Sequence, residues 1–133
     1  MKVIEIHPVN PQARWIKQIA EAFQKGCIVI YPTSAGYAIG CDAENKKAIS
    51  RLYSIQDKIK KPLMALMFQN ISDITTYARV DNLSYRLLKE KTPGPYTFIL
   101  PAQVHISRLL GVKRPEIGVR IPNHPFLIEL LKE

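Results

Sequence analysis

Gly26-Cys-Ile-Val-Ile-Tyr-Pro-Thr-Ser-Ala-Gly-Tyr-Ala-Ile-Gly40 is the stretch around which the rest of the chain is organised. The apolar, β-branched run from Cys27 to Tyr31 has the composition of a buried strand. Pro32, which has no N–H to give to a ladder, is expected to end it. Beyond the turn stand Thr33, Ser34, Gly36 and Tyr37. Ligands of α/β sheets bind outside the carboxyl ends of strands, so these hydroxyls sit where a small molecule would be held. Read alone, the same residues describe an ordinary turn whose hydroxyls cap backbone groups, and the stretch by itself slightly favours that description.

On the N-terminal side, Lys2 to Ile6 alternates like a short strand, and Asn10-Pro11 has the form of a helix start. Trp15, Ile16, Ile19, Ala20 and Phe23 follow at helical spacing, with Gly26 as the stop, so Trp15 reads as core. On the C-terminal side, Ile49, Leu52 and Tyr53 mark a second helix. Leu63 to Phe68 is an apolar run that fits a buried strand, with helix as the alternative. Ser72 or Asp73 is expected to cap a short helix through Tyr77. Asp81 or Asn82 begins a longer one on which Leu83, Leu87 and Leu88 share a face and Lys89 to Lys91 complement the dipole. Tyr96 to Leu100 reads as a strand closed by Pro101, Ile106 to Leu110 as a helical turn, Ile117 to Ile121 as a last strand, and Pro125 as the start of a helix. The pattern predicts a single α/β domain: a twisted, mixed open sheet with helices packed against it.

The 133 residues are 47% hydrophobic and 23% charged, as expected of one globular domain with a real core. No apolar run approaches the roughly 18 residues of a membrane span. Met1-Lys-Val-Ile-Glu-Ile6 lacks the long apolar core of a signal peptide, so the protein is expected in the cytoplasm with no membrane partner. Cys27 reads as a small core residue and Cys41 as a free thiol; the spacing leaves a disulfide between them open. Net charge is +8, from 19 Lys and Arg against 11 Asp and Glu. Such an excess favours nucleic acid, nucleotides or other phosphorylated partners, and equally serves solubility.

Polar features cluster at strand ends and connections: Thr33, Ser34 and Tyr37; Lys58, Lys60 and Lys61; Thr97 after Pro93-Gly-Pro95; and Arg120. Arg120 is flanked by Val119 and Ile121, so by alternation it points to solvent or into an interior that needs a carboxylate or phosphate. The lysines could clamp phosphates or form a solvated loop. There is no P-loop, Gly-x-Ser-x-Gly or His-Glu-x-x-His pattern. His7, His105 and His124 lie in Pro-rich or loop contexts far apart, which argues against a metal site.

Taken in order, Pro32-Thr33-x-x-x-Tyr37, Lys61-Pro62-Leu63, Pro93-Gly-Pro95-x-Thr97 and Val119-Arg120-Ile121-Pro122 resemble the YrdC/YciO family from Gly26 to Pro125, with Pro32 to Gly40 nearest the YciO branch. The resemblance implies a YrdC-like open sheet with a large basic cavity. It implies threonylcarbamoyl-AMP synthase chemistry, in which L-threonine, bicarbonate and ATP give threonylcarbamoyl-AMP and pyrophosphate for tRNA N6-threonylcarbamoyladenosine. It also implies Mg2+ arriving with ATP, and a noncatalytic alternative that binds double-stranded RNA or tRNA in the same cavity. By the resemblance, Thr33 and Tyr37 line the threonine pocket, Lys58 and Lys61 face ATP phosphates, Thr97 shapes the wall, and Arg120 takes a carboxylate or phosphate. The family's Lys-x-Arg stands here as Gln56-Asp57-Lys58. Its Ser-Ala-Asn segment is missing from these residues, so residues 1–133 read as a YrdC-like domain incomplete at the C-terminus relative to the family.

Overall fold

Alternating apolar residues, helix caps and turn glycines each leave a visible trace in the computed structural model of the chain, which describes residues 1–56, 65–103 and 116–133. Among them lie five helices and five strands in the order α1 (Ala13–Gln24), β1 (Val29–Thr33), β2 (Gly36–Gly40), α2 (Lys46–Gln56), β3 (Ala65–Met67), α3 (Ile71–Tyr77), α4 (Asn82–Lys91), β4 (Phe98–Pro101), β5 (Glu116–Arg120) and α5 (Pro125–Leu131). None of these helices is long and apolar enough to cross a membrane. Lys58, Lys60, Lys61, the start of the Leu63 run, His105 and the turn at Ile106 to Leu110 lie outside the described residues.

The chain forms the expected mixed α/β domain, but its strands divide between two sheets rather than forming one. β1 and β2 make an antiparallel pair, while β3, β5 and β4 form a second sheet in that order. β3 runs parallel to β5 and β4 antiparallel to it. One face of the three-stranded sheet is dry: Leu100, Ile117, Val119 and Ile121 pack with Ile74 and Leu88 from α3 and α4. Val119, Ile74 and Leu88 are fully buried, each stabilising the fold by about 1.5–3 kcal/mol through removal of apolar surface from water. A second cluster joins Ile16 and Ile19 of α1 to Phe126 and Leu127 of α5, with Val29 and Tyr31 of β1 and Met67 of β3 packed against it.

The hairpin corrects the reading of the opening stretch. The strand does not stop at Pro32. It runs to Thr33, turns through Ser34 and Ala35, and returns with Pro32 opposite Tyr37. Proline is tolerated here because β1 pairs on one side alone among the described residues, as edge strands allow. Cys27 is exposed and precedes the strand, so it is not a core residue, and both cysteines are free.

Other local readings also shift. Lys2 to Ile6 is not a strand; Ile4 and Ile6 pack on the second cluster without joining a ladder. Asn10 does not cap α1: the helix begins at Ala13 with Gln12 at its N-cap position and no side-chain cap, and Asn10 instead sits in a turn where its N–H donates to His7 Nδ1 at 2.8 Å. Trp15 is half-buried, with the Arg14 guanidinium 4.6 Å from its ring centroid, rather than in the core. Asn70, not Ser72 or Asp73, caps α3 by accepting from the Asp73 N–H at 2.9 Å. Asp81 caps α4 as expected, accepting from Ser84 N–H at 2.7 Å. Of the three leucines on α4 only Leu88 is buried; Leu83 and Leu87 face solvent.

Candidate functional site

The face of the three-stranded sheet opposite the dry core floors a cleft of about 1230 Å3. The alternation that buries Ile117 and Val119 turns Glu116, Gly118 and Arg120 toward the other side. Ala65 and Met67 of β3 stand in register with Gly118 and Arg120, and Ile99 of β4 with Gly118, so they share that face. The facing wall comes from Phe23 of α1, Tyr31 of β1, Ala38 of β2, Ile49, Leu52 and Tyr53 of α2, and Leu127 and Leu130 of α5. Asn45 sets α2 in place by accepting the Ala48 N–H at 2.9 Å.

Of the expected site residues, Thr97 and Arg120 line this cleft together. Thr97 presents its methyl group to the floor, 3.2 Å from where a Cβ on Gly118 would stand. Arg120 is half-buried, and no carboxylate among the described residues lies within salt-bridge distance of it. Thr33 and Tyr37 are at the tip of the hairpin and not among the lining residues. The Thr33 hydroxyl donates to the Gly36 carbonyl at 2.7 Å and accepts from the Ala35 N–H at 3.2 Å, which leaves it one acceptor lone pair. Tyr37 is 81% exposed. Lys58 and Lys61 lie outside the described residues.

Among the described lining residues the charge is Arg120 against the carboxylates of Asp42, Glu44, Asp73, Glu116 and Glu133, so the described part of the lining is acidic rather than the basic surface the resemblance implied; Lys58 and Lys61 lie outside it. At the Arg120 end, burial pushes the Tyr31 phenol up from its ordinary pKa; the guanidinium opposes that rise and Cys41 adds to it. Burial, then Asp42, pushes the Cys41 thiol up, which keeps it protonated and unreactive at neutral pH. Near α3, the Tyr77 hydroxyl donates to Glu44 Oε1 at 3.2 Å. Burial chiefly raises the Tyr77 pKa, and Glu44, Asp42 and Asp73 raise it further. No group of three or more His, Cys, Asp or Glu side chains among the described residues is placed to hold a metal ion.

Sequence reasoning missed Glu116, Gly118 and Tyr31 as cleft residues. The signal for the first two was present: the alternation that singled out Arg120 places residues two and four positions earlier on the same face. Tyr31 carried no such signal, because its place depends on how the hairpin docks against α5.

A family model for Sua5, YciO and YrdC proteins, described as telomere recombination, matches residues 21–133. YciO of Escherichia coli, itself an uncharacterized protein, is 44% identical over 128 residues, covering 96% of this chain and 62% of that protein. Its crystal structure matches with a TM-score of 0.85. A threonylcarbamoyl-AMP synthase of Vibrio vulnificus is 31% identical over 121 residues, 89% of this chain and 65% of that protein. P. abyssi Sua5 complexed with L-threonine shares the fold, with a TM-score of 0.82 at 22% identity over 97% of this chain and 39% of that one. The chain thus spans less than two thirds of the length of these relatives. It belongs to the Sua5/YciO/YrdC family.

Proposed function

We propose that this chain carries the substrate cleft of a threonylcarbamoyl-AMP synthase-like protein, taking L-threonine, bicarbonate and MgATP to threonylcarbamoyl-AMP and pyrophosphate for the N6-threonylcarbamoyladenosine modification of tRNA. The observation that carries this reading is Arg120, half-buried in a cleft of about 1230 Å3 with no carboxylate partner among the described residues. Desolvating an arginine is costly unless an anion completes it, and both substrates bring anions. The cleft exceeds the roughly 300–1,000 Å3 typical of single-ligand sites, so two substrates fit side by side. The 31% identity to the Vibrio vulnificus synthase supports the same assignment.

The threonine amine would add to the carbon of bicarbonate-derived CO2, giving a carbamate after proton loss. A carbamate oxygen would then attack the α-phosphorus as the bond to the bridging oxygen breaks and pyrophosphate leaves with the electron pair. Neither step needs a covalent nucleophile from the protein; both need charge neutralisation and positioning. Arg120 neutralises a carboxylate or phosphate, Thr97 shapes the floor, Lys58 and Lys61 take phosphates, and Thr33 and Tyr37 meet threonine at the hairpin. Magnesium enters as part of the nucleotide substrate, ligated mainly by phosphates and water. The test is pyrophosphate exchange into ATP, dependent on threonine and bicarbonate. Exchange supports the reading; pure, folded protein with neither exchange nor ATP binding refutes it.

A second reading, binding of duplex RNA or tRNA without catalysis, is favoured by the net charge of +8 and by exposed Lys46, Lys47 and Arg51 on α2, whose inner face lines the cleft. It predicts RNA affinity that falls steeply with salt. Affinity that does not change with salt contradicts it.

A further inference from the structure

The Tyr31 ring is fixed on three sides. Phe23 of α1 meets it edge-on with ring centroids 6.3 Å apart, and Phe126 of α5 lies 6.5 Å away at an interplanar angle of 30°. Gly40 of β2 lies against it: a Cβ there would stand 3.0 Å from Tyr31 Cε1 and 3.0 Å from its hydroxyl oxygen. Gly40 is not one of the positive-φ glycines of the described residues, Gly26 and Gly36, so what its missing side chain provides is room for this ring and hydroxyl.

A phenylalanine would fill the same bracket and avoid the cost of desolvating a hydroxyl. The Tyr31 hydroxyl therefore needs a partner, and among the described residues it has none. Nor is it sealed in the protein, because no side-chain oxygen or nitrogen among the described residues is both buried and unpartnered. Tyr31 lines the cleft, so the cleft is where its hydroxyl meets a partner.

Arg120 lines the same cleft from the other sheet and likewise has no carboxylate within salt-bridge distance among the described residues. Met67, its register partner on β3, packs with Tyr31 against Ile16, Ile19, Phe126 and Leu127, which links the two donors through one packed cluster. The charge of the guanidinium reaches the phenol, yet no hydrogen bond joins them. Two donors on one cleft that do not bond each other leave an acceptor to be supplied from outside.

We propose that the Tyr31 phenol is a second anion-binding donor of the cleft, and that with the Arg120 guanidinium it clamps one oxyanion of the substrate, a carboxylate or a phosphate group. This rests on the reading of Arg120 as an anion site and adds a residue to it. Arg120 supplies the charge. Tyr31 supplies a neutral, directional O–H whose position is set by the two phenylalanines and Gly40. The other charged side chains of the described lining are carboxylates, so an anion is drawn to this pair and repelled from the rest.

The test is calorimetric titration of the full 133-residue chain with two probes, L-threonine for a carboxylate and inorganic pyrophosphate with Mg2+ for a phosphate. Tyr31→Phe keeps the packing and removes the donor. It weakens at least one probe about tenfold, as expected for one hydrogen bond to a charged group, and the probe affected tells which oxyanion is clamped. The variant melts at neutral pH no lower than wild type, which separates recognition from folding. Gly40→Ala removes no donor but displaces the ring by a few tenths of an ångström, and it weakens the same probe by a smaller factor. In wild type labelled with carbon-13 at tyrosine Cζ, the resonance absent from Tyr31→Phe moves saturably with that probe. At the same probe concentration Arg120→Ala largely removes the movement. Unchanged affinity of Tyr31→Phe for both probes, or a Tyr31 resonance that neither probe moves, overturns the clamp and leaves Arg120 standing as an anion site. Binding of neither probe to wild type overturns both.

Discussion

Arg120 on β5 and Tyr31 on β1 both line the cleft, and the guanidinium's charge partly offsets the burial that raises the Tyr31 phenol pKa. They come from different sheets.

Removing the guanidinium therefore has two readouts. Arg120→Ala leaves burial unopposed at Tyr31, whose ionisation, followed by absorbance, moves to still higher pH. The same substitution weakens the anionic substrate by roughly 10- to 100-fold, the loss of a charge-assisted hydrogen bond. Arg120→Lys restores the charge but not the planar fork, and recovers affinity only in part.

Alkaline stability follows from the sign of the Tyr31 shift. Its folded pKa lies above the ordinary 10.0, so the folded state holds the proton more tightly than the unfolded chain. That contribution is complete below pH 10 and is lost as pH rises from there through the folded pKa. Tyr77 is raised as well and acts in the same sense. Tyr31→Phe should flatten the fall in melting temperature above pH 10. A variant that falls as steeply as wild type contradicts this assignment.

Gly26 joins α1 to the cleft wall. Its φ is +87°, and a Cβ there would stand 2.8 Å from Asn45 Nδ2, the residue that caps α2. Gly26→Ala should cost about 1–3 kcal/mol of stability in chemical denaturation, through left-handed strain and the displaced cap. A change below about 0.5 kcal/mol contradicts this account.

The hairpin tip separates folding from recognition. Thr33→Val removes two hydrogen bonds of the turn and should cost about 1 kcal/mol. Tyr37, 81% exposed, can be replaced by Ala with a stability change within about 0.5 kcal/mol. Under the proposed function Tyr37→Ala still lowers L-threonine affinity, a loss that titration measures independently of stability.

Much of the fold was legible because local rules and tertiary demands agreed. Asp81 caps α4 and Gly26 ends α1 where their chemistry requires it. The alternation of Ile117, Val119 and Ile121 identified β5, and with it the side on which Arg120 lies. Elsewhere a stronger demand prevailed. The Asn10-Pro11 start signal fell in a turn whose Val9 and Asn10 N–H groups donate to His7 Nδ1, and α1 starts at Ala13. Ile4 and Ile6 found apolar partners on α1 and α5 without a strand to pair with. The apolar run after Cys27 looked fully buried, yet a two-stranded hairpin has two faces, and Ile30 is left 61% exposed on the outer one. The division of five strands into two sheets depends on long-range pairing, which no single segment encodes.

The central claim, that the cleft beneath Arg120 receives both substrates, is tested most directly by amide chemical-shift mapping of the 15.1 kDa chain titrated with L-threonine and MgATP. The account predicts saturable shifts concentrated at Thr97, Gly118 and Arg120 and reduced by Arg120→Ala. Absence of saturable shifts, or shifts confined to the outer face of α4, would contradict it.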